Sequence, residues 1–328
     1  MITVNSEEIK QPLQETNLWK KYLGDYVINV ASGCLHGCSF CYVPSTPAIR
    51  ARETHLQERG VEDPQDWGSY LIIRDNAPEK LEKILSGKRS WKESYQGRGV
   101  VLLCSGTDPY QNNRVAKITR QCIEILLSYN KRVRILTRSP LFLNDLDLLA
   151  NTLVTTGVSI PTLDDAFCRT VEMKAPRPSD RYRAIAKASE AGCRVYIAMA
   201  PTPPFYTQTD FSHLLTQFLK VNPEVIFWEP INLRGGNVER MSHLPWAEEI
   251  RCSQTWAKNF FSSWSDLKVA AQELNCLDLI MPWFDPDLKN FNPPAGIDWN
   301  PKQTPEQWND SNLSGGCLNQ SLAQESGL

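Results

Sequence analysis

The sequence GCLHGCSFCY, residues 33–42, places three cysteines close together as Cys34, Cys38 and Cys41. Spacings of three and two intervening residues are typical of loops that hold an iron–sulfur cluster through thiolates. A closed 4Fe–4S site needs four cysteines, and no fourth cysteine lies near these three in the sequence. The stretch therefore predicts a cluster in which one iron stays open to a ligand that the protein does not supply.

A zinc site is the alternative interpretation of the same cysteines, completed by His36 or by a remote cysteine. His36 lies between two of the cysteines, where simultaneous ligation would be strained. Closed zinc sites also usually pair two CxxC knuckles. The spacing favours iron–sulfur chemistry, and a non-catalytic zinc-binding protein stays as the alternative.

The composition is that of an ordinary globular protein. The 328 residues are 41% hydrophobic and 22% charged, with a formal net charge of −2. This balance gives no global attraction to nucleic acid, so any such binding would need a local basic patch. The first residues lack the apolar stretch of a signal peptide, and no segment is apolar for long enough to cross a membrane. Ten cysteines without an export signal indicate reduced thiols, so we expect a cytoplasmic protein.

Short apolar segments alternate with amphipathic segments along most of the chain. Strands are predicted over residues 26–30, 100–104, 132–136, 158–160, 195–200 and 225–228, with a further strand over 70–73. Helices are predicted over residues 78–85, 114–129, 143–150 and 211–219, and one more runs from Ser179 or Asp180 as its N-cap to Gly192. This alternation indicates an α/β fold with a parallel sheet. Six main strands are too few for a closed eight-stranded barrel, so we expect an open or partial barrel.

Three segments are predicted: an N-terminal segment over residues 1–25, the partial barrel over 26–240, and a C-terminal extension over 241–328. The extension holds six of the ten tryptophans. We expect it to be partly helical up to residue 283 and irregular over its last thirty or so residues. Reactive groups should collect at the carboxyl ends of the barrel strands, where the cysteines, residues 107–110, Arg138 and Glu229 all fall.

The segment CLHGCSFCY resembles the CxxxCxxC signature of the radical S-adenosylmethionine (SAM) superfamily. In that superfamily the loop follows the first strand of a partial (β/α)6 barrel, as it does here. The resemblance implies a 4Fe–4S cluster on Cys34, Cys38 and Cys41, with SAM bound at the open iron. It also implies reductive cleavage of SAM to a 5′-deoxyadenosyl radical, fed by an electron donor such as flavodoxin or ferredoxin. Phe40 takes the aromatic position that usually packs near the adenine of SAM.

Four further segments are similar to the branch of the superfamily related to spore photoproduct lyase, often labelled DNA repair photolyase-like. They are CSGTDPYQ (104–111), RILTRSPLFLNDLDLL (134–149), VSIPTLDD (158–165) and AGCRVYIAMAP (191–201). In the lyase a cysteine at the corresponding strand end gives a hydrogen atom to the repaired thymine radical, which implies that role for Cys104. The alternative for Cys104 is a small buried core residue.

The same resemblance implies several partners for SAM. Arg138 stands where the lyase has a lysine that pairs with the SAM carboxylate, and a guanidinium can do this bidentately. Ser159 matches a serine near SAM, whereas Ser105 and Asp108 are candidates for its amino or ribose groups. Asp108 is also simply a good turn residue, in TDPY.

The sequence departs from the lyase at several points. The lyase has a tyrosine directly before the third cysteine, and this sequence has Phe40 there, which lacks the phenol. Tyr42, directly after the third cysteine, is retained and is a second catalytic candidate. Glu229 is a substrate-side carboxylate or, more simply, part of a salt bridge. The tail tryptophans could stack on bases or pack internally. The substrate therefore stays open between a DNA lesion and another molecule such as RNA, a peptide or a small metabolite.

Overall fold

The computed structural model describes residues 2–233, 236–283 and residue 291. The strands of this part of the chain are β1 (Thr3–Ser6), β2 (Leu13–Glu15), β3 (Tyr26–Ile28), β4 (Ala31–Ser32), β5 (Tyr70–Ile73), β6 (Val101–Leu103), β7 (Val133–Thr137), β8 (Val154–Ser159), β9 (Arg194–Thr202), β10 (Ile226–Pro230) and β11 (Ile280–Pro282). Its α-helices are α1 (Pro47–Arg50), α2 (Glu53–Gln57), α3 (Ala77–Leu85), α4 (Asn113–Ser128), α5 (Leu146–Leu149), α6 (Asp165–Val171), α7 (Pro178–Glu190), α8 (Gln208–Phe218), α9 (Asn237–Met241), α10 (Glu248–Arg251) and α11 (Ser253–Glu273).

One sheet of eight strands forms the body of the protein, in the order β11-β10-β9-β8-β7-β6-β3-β2. All neighbouring pairs are parallel except β2 and β3. Each of the six main strands predicted from the sequence is present in this sheet, and helices connect several successive strands. The predicted α/β class and partial barrel are therefore confirmed.

A small second sheet carries the chain into the cysteine segment. Its strand order is β1-β5-β4, with β1 parallel to β5 and β4 antiparallel to it. Gly33 follows β4 with φ +86°, and a Cβ there would lie 2.4 Å from the Tyr70 carbonyl oxygen of β5. Only glycine fits this turn, which directs the chain from β4 into the cysteine loop.

The two faces of the eight-stranded sheet are packed differently. Alternate residues of β9 face the helices on one side, whereas Tyr196 and Ala198 belong to a cluster with Leu102 of β6 and Phe227 of β10 on the other. The Tyr196 ring lies so close to β8 that a Cβ on Gly157 would be 2.2 Å from its Cζ. The Tyr196 hydroxyl donates to the Ile135 carbonyl at 2.8 Å. The face away from the helices is thus filled by an aromatic side chain that needs glycine opposite it.

Two details differ from the sequence-based expectation. The N-cap of α7 is Arg177, with Pro178 in the first turn, so the predicted caps Ser179 and Asp180 are wrong. The fixed φ of Pro178 begins the helix one residue before Ser179. Ser179 therefore lies inside the first turn, and its hydroxyl donates to Asp165 Oδ2 at 2.6 Å. The residues 143–150 begin in a 3₁₀ helix over Pro140–Asp145 and become α-helical only in α5.

The segments on either side of the predicted barrel contribute strands to the sheets. β1 and β2 come from residues 1–25 and pair with β5 and β3, respectively. The extension after residue 240 is helical in α10 and α11, as expected, and it also adds β11 parallel to β10. The expected irregular stretch lies outside the described residues.

Candidate functional site

Two loops meet at the carboxyl ends of the parallel strands. The cysteine loop runs from Gly33 to the 3₁₀ helix Val43–Ser45, and the second loop leaves β6 at Cys104 and reaches α4. Hydrogen bonds between the two loops hold the loops together, and Asn29 after β3 accepts further hydrogen bonds from the second loop. These bonds join Thr107 Oγ1 to the Gly33 carbonyl, the Leu35 amide to Gln111 Oε1 at 2.8 Å, and the amides of Ser105 and Gly106 to Asn29 Oδ1 at 2.9 and 2.8 Å. The predicted cluster loop and the Cys104 loop therefore form one unit.

Asp108 is the buried centre of this unit. Its Oδ1 accepts hydrogen bonds from the Thr137 hydroxyl at 2.7 Å and from the Tyr110 amide at 2.8 Å. Its Oδ2 accepts from the Arg138 amide at 2.7 Å and lies 3.2 Å from His36 Nε2. Burial alone would raise the pKa of Asp108, but His36 and these donors hold it at about 2. The carboxylate joins three chain segments, and its role toward SAM stays a prediction.

The three thiols of the loop lie in an apolar setting. Cys34 and Cys38 are buried and Cys41 is half-buried. Burial raises the pKa of all three, whereas the positive charge of Arg138 opposes this at Cys38 and Cys41, and that of Arg240 opposes it at Cys41. Without a metal these groups stay protonated thiols at neutral pH, because a thiolate there would lack water.

Helix α9 holds the backbone of the cysteine loop from outside. The Asn237 side-chain amide donates to the Phe40 carbonyl at 3.0 Å, and Arg240 Nε donates to the Ser39 carbonyl at 3.3 Å. A second nitrogen of Arg240 donates to the Cys41 carbonyl. Three consecutive carbonyls around the last cysteine are thus bound by two side chains that are about 200 residues away along the sequence.

Arg138 lies beside the same loop. Its guanidinium carbon is 5.3 Å from the centre of the Phe40 ring, which is a cation–π arrangement. Its Nε donates to Glu172 Oε1 at 2.7 Å, and another nitrogen donates to the Ala200 carbonyl at 3.3 Å. The structure therefore brings together Arg138, Phe40 and the cysteines, as predicted, and adds Glu172.

Glu172 is fully buried and is shared by two arginines. Its second oxygen accepts from Arg181, whose side chain is 1% exposed, and from the Cys168 thiol at 2.8 Å. Burial disfavours its charge, but the two arginines hold the pKa of Glu172 at about 2. Arg181 also donates to the Ser159 carbonyl at 3.0 Å, so this network reaches the predicted SAM residue at the end of β8.

Cys104 directly follows β6 and is 5% exposed. Burial, together with the negative charge of Asp108, raises the pKa of its thiol to about 12. Ser105, the next residue, is exposed, and Tyr42 is exposed at 42% on the other loop. The catalytic and cofactor roles of Cys104, Tyr42, Ser105 and Ser159 stay predictions.

The simpler interpretations apply to several other candidates. Glu229 accepts from Lys21 Nζ at 2.8 Å and from the Asn232 amide, so the salt-bridge interpretation is confirmed. Trp256, Trp264 and Trp283 are buried in the core, as packing residues are. Cys252 is exposed and Cys276 is buried, and no metal-binding group includes them among the residues that the structure describes.

Sequence reasoning missed Glu172, Asn237 and Arg240. Glu172 lies between β8 and β9 in a stretch without a motif, and the other two lie where the strand–helix alternation fades. No sequence motif marks these residues. The one general signal is that a guanidinium buried at a strand end, as expected for Arg138, needs an anionic partner.

Comparison with known proteins defines the class. The family model for the radical SAM superfamily matches residues 28–217. An uncharacterized protein of Acidianus two-tailed virus is 32% identical over 234 residues, which are 69% of this chain and 74% of the viral protein. The chain belongs to the radical SAM superfamily and is a radical SAM enzyme. This displaces the alternative of a non-catalytic zinc-binding protein.

The comparison also finds more distant relatives and solved structures with a similar fold. An uncharacterized protein of Mycobacterium tuberculosis is 28% identical over 218 residues, covering 64% of this chain and 59% of that protein. Among solved structures, a spore photoproduct lyase variant with bound SAM and dinucleoside spore photoproduct has a TM-score of 0.58 at 13% identity, covering 86% of this chain and 82% of the lyase chain. A second lyase variant has a TM-score of 0.59 at 12% identity, with the same coverage. At this identity the likeness concerns the fold alone.

The superfamily implies SAM and a 4Fe–4S cluster, and the residues of the loop suit them. Three shielded thiols with two adjacent guanidinium groups can carry the charge of a cluster that is ligated by thiolates. His36 Nε2 is directed to Asp108, so His36 is not drawn to the cysteines as a fourth ligand. Within residues 2–233 and 236–283, no three His, Cys, Asp or Glu side chains are already arranged to hold a metal ion. Cys34, Cys38 and Cys41 stay the predicted ligands. No described helix is long and apolar enough to span a membrane.

Proposed function

We propose that the enzyme binds a 4Fe–4S cluster through Cys34, Cys38 and Cys41 and uses it to cleave SAM reductively. When bound, the cluster supplies the electron that splits the sulfonium bond, giving methionine and a 5′-deoxyadenosyl radical that abstracts hydrogen from a substrate. The observation that carries this proposal is the buried CxxxCxxC loop, held by α9 at the carboxyl ends of the strands beside Arg138. A flavodoxin or ferredoxin in the cytoplasm is the proposed electron donor.

Arg138 and Phe40 are the proposed SAM-binding pair. A guanidinium has five N–H donors, and Glu172 and Ala200 engage only part of them. The remaining donors suit the SAM carboxylate, while the ring of Phe40 suits its adenine. Ser105 and Asp108 are proposed for the amino or ribose groups of SAM, with Asp108 acting mainly through the loop positions that it fixes. Ser159 is proposed to lie near SAM.

The substrate that we favour is one other than a thymine lesion, because Phe40 lacks the phenol of the lyase. A lesion in DNA is the second candidate, and one observation favours it: the Cys104 thiol directly follows β6, in the loop that is hydrogen-bonded to the cysteine loop. A thiol must be in its S–H form to give a hydrogen atom to a substrate radical. Tyr42, exposed on the facing loop, is proposed to take part in that transfer.

The decisive experiment is anaerobic. The protein is reconstituted with iron and sulfide, SAM and dithionite are added, and 5′-deoxyadenosine is quantified with and without a dinucleotide that carries the thymine lesion. We expect deoxyadenosine in both reactions and an unchanged lesion. Conversion of the lesion to thymines would establish the second candidate instead, and cluster-loaded protein without deoxyadenosine would overturn the proposal.

A variant pair separates the two candidates further. If the lesion is the substrate, Cys104→Ala still cleaves SAM but gives aberrant, incompletely quenched products. The matched control is Cys122→Ala, because Cys122 is a buried thiol of α4 whose pKa burial also raises. Equal product distributions in the two variants would exclude Cys104 as the hydrogen donor.

A further inference from the structure

A cavity of about 310 Å³ opens at the amino ends of the barrel strands, which is the end opposite the cysteine loop. Residues at or next to the starts of β6, β7, β8, β9 and β10 line it, together with the loop over residues 93–98. We call it the floor cavity. Thr155 in its wall and Ser159 at the other end of β8 are four residues apart, or about 13 Å along an extended strand. The floor cavity is therefore separate from the site proposed for SAM.

Arg134 is the central polar group of the floor cavity. Its guanidinium lies 5.3 Å from the centre of the Tyr196 ring and 5.8 Å from that of Phe227, and one nitrogen donates to the Tyr22 carbonyl. Its Nε is shielded from solvent and has no hydrogen-bond partner in the described part of the chain. None of the ion pairs among the described residues involves Arg134, although burial disfavours its charge and lowers its pKa. A half-buried guanidinium whose Nε is shielded and lacks an acceptor among the described residues is suited to bind an anionic ligand.

The cavity wall as a whole has an excess of positive charge. Its charged groups are four guanidinium groups and two carboxylates, namely Arg98, Arg132, Arg134, Arg194, Glu93 and Glu224. Glu224 is already paired with Arg194, at 2.6 Å from its Nε. Arg132 donates to the Arg98 carbonyl at 3.3 Å and forms no ion pair within the described ranges. The wall thus offers Arg132 and Arg134 to an anion.

The remaining surface of the cavity is apolar and aromatic. Tyr22, Phe227 and Met281 are among the residues that line it. Tyr95, in the loop over residues 93–98, also lines the cavity and is 77% exposed, which places it at the mouth. An exposed ring at a cavity mouth suits stacking against a flat ligand.

We propose that the floor cavity binds a small aromatic oxyanion, with its carboxylate or phosphate on Arg134 and Arg132 and its flat body against Tyr95. A volume of 310 Å³ is at the lower end of the range for small-molecule sites, so the ligand is small. The proposal does not depend on the SAM chemistry at the opposite end of the sheet.

The test measures binding of phenyl phosphate to the cluster-loaded protein by isothermal titration calorimetry, with SAM present to fill its own site. Inorganic phosphate and benzyl alcohol are the comparison probes. We expect phenyl phosphate to bind more tightly than either, because it alone uses both the guanidinium groups and the apolar wall. Absence of binding, or binding of inorganic phosphate as tight as that of phenyl phosphate, would overturn the proposal.

Variants locate the bound probe. Arg134→Met should weaken phenyl phosphate binding by about tenfold or more, since charge-assisted hydrogen bonds are lost. The exposed Arg183→Met is the control and should bind the probe as the wild type does. If Arg134→Met fails to fold, Arg132→Gln takes its place. Unchanged affinity in the folded variant, or an equal loss in Arg183→Met, would contradict the assignment.

Discussion

At the scale of single residues, the cysteines of the loop differ from the other cysteines in their surroundings. Burial raises the pKa of Cys34, Cys38, Cys41, Cys104 and Cys122 alike. The spacing and the nearby guanidinium groups set the first three apart. The CxxxCxxC spacing was visible in the sequence, whereas the charges of Arg138 and Arg240 beside it became visible only in three dimensions.

Replacing Cys38 by Ala should abolish cluster binding, because two thiolates cannot hold a cubane cluster in place of three. Iron and sulfide per chain after anaerobic reconstitution measure this. The matched control is Cys252→Ala, an exposed cysteine outside the site, which should bind as much iron as the wild type. Equal iron contents in the two variants would show that Cys38 is not a ligand.

Replacing Glu172 by Gln should lower the free energy of unfolding at pH 7 by about 3–5 kcal/mol, since Arg138 and Arg181 lose their shared carboxylate. The pKa of Glu172 is lowered from 4.5 to about 2, so its charge stabilises the folded state above pH 4.5 and this contribution is lost as the pH falls toward 2. The difference in the free energy of unfolding between the wild type and the variant should therefore be constant from pH 7 to about 5 and should become smaller below pH 4.5.

Urea unfolding of the cluster-free proteins at several pH values checks the Glu172 prediction. Glu273→Gln is the control, because within the described part of the chain the Glu273 side chain accepts a single, exposed hydrogen bond, from Gln208. A difference that stays constant down to pH 3 would contradict the charge-based explanation.

At the scale of elements, short segments of weak pattern hold the site. Helix α9 has five residues and was not predicted as a separate helix, because a single turn shows no periodicity. The strand β11 has three residues and was missed for the same reason. The long strands and helices were predicted well because burial of one face imposes a period on them, as in α4 with its buried Val115, Ile118 and Ile123.

Replacing Asn237 by Ala should leave the Phe40 carbonyl without its donor and lower the free energy of unfolding by about 1–3 kcal/mol. The loosened cysteine loop should also retain less iron after gel filtration. The matched control is Asn259→Ala, since Asn259 donates to the Glu249 carbonyl at the same distance of 3.0 Å but on an exposed surface. A loss of iron in both variants, or in neither, would contradict a specific role of α9.

At the scale of the whole molecule, the partial barrel has two chemically distinct ends. The strand alternation predicted which end carries the cysteines, because all carboxyl ends of parallel strands share one edge. It did not predict the interior beneath them, where Tyr196, Phe227 and Arg134 come from different strands. Which residues of neighbouring strands meet depends on the register, and the sequence pattern of a fully buried strand does not fix the register.

Replacing Gly157 by Ala should destabilise the whole barrel, because the new methyl group would overlap the Tyr196 ring. We expect the free energy of unfolding to fall by about 1–3 kcal/mol or more, as overpacking of a close-packed interior does. Urea unfolding measures it, with Gly87→Ala as the control, since the nearest atom to a Cβ on Gly87 is 3.6 Å away. Equal stability of Gly157→Ala and wild type would show that the interior can repack.

The position of α9 along the chain has a consequence for biosynthesis. The donors that fix the carbonyls of Ser39, Phe40 and Cys41 are residues 237 and 240, so they leave the ribosome long after the cysteines. At translation rates of about 5–20 residues per second, the delay is on the order of 10–40 seconds. During that interval the nascent cysteine loop lacks its final support and its thiols are open to oxidation. Delivery of iron and sulfide by an assembly machinery is therefore expected to follow synthesis of α9 rather than accompany that of the loop.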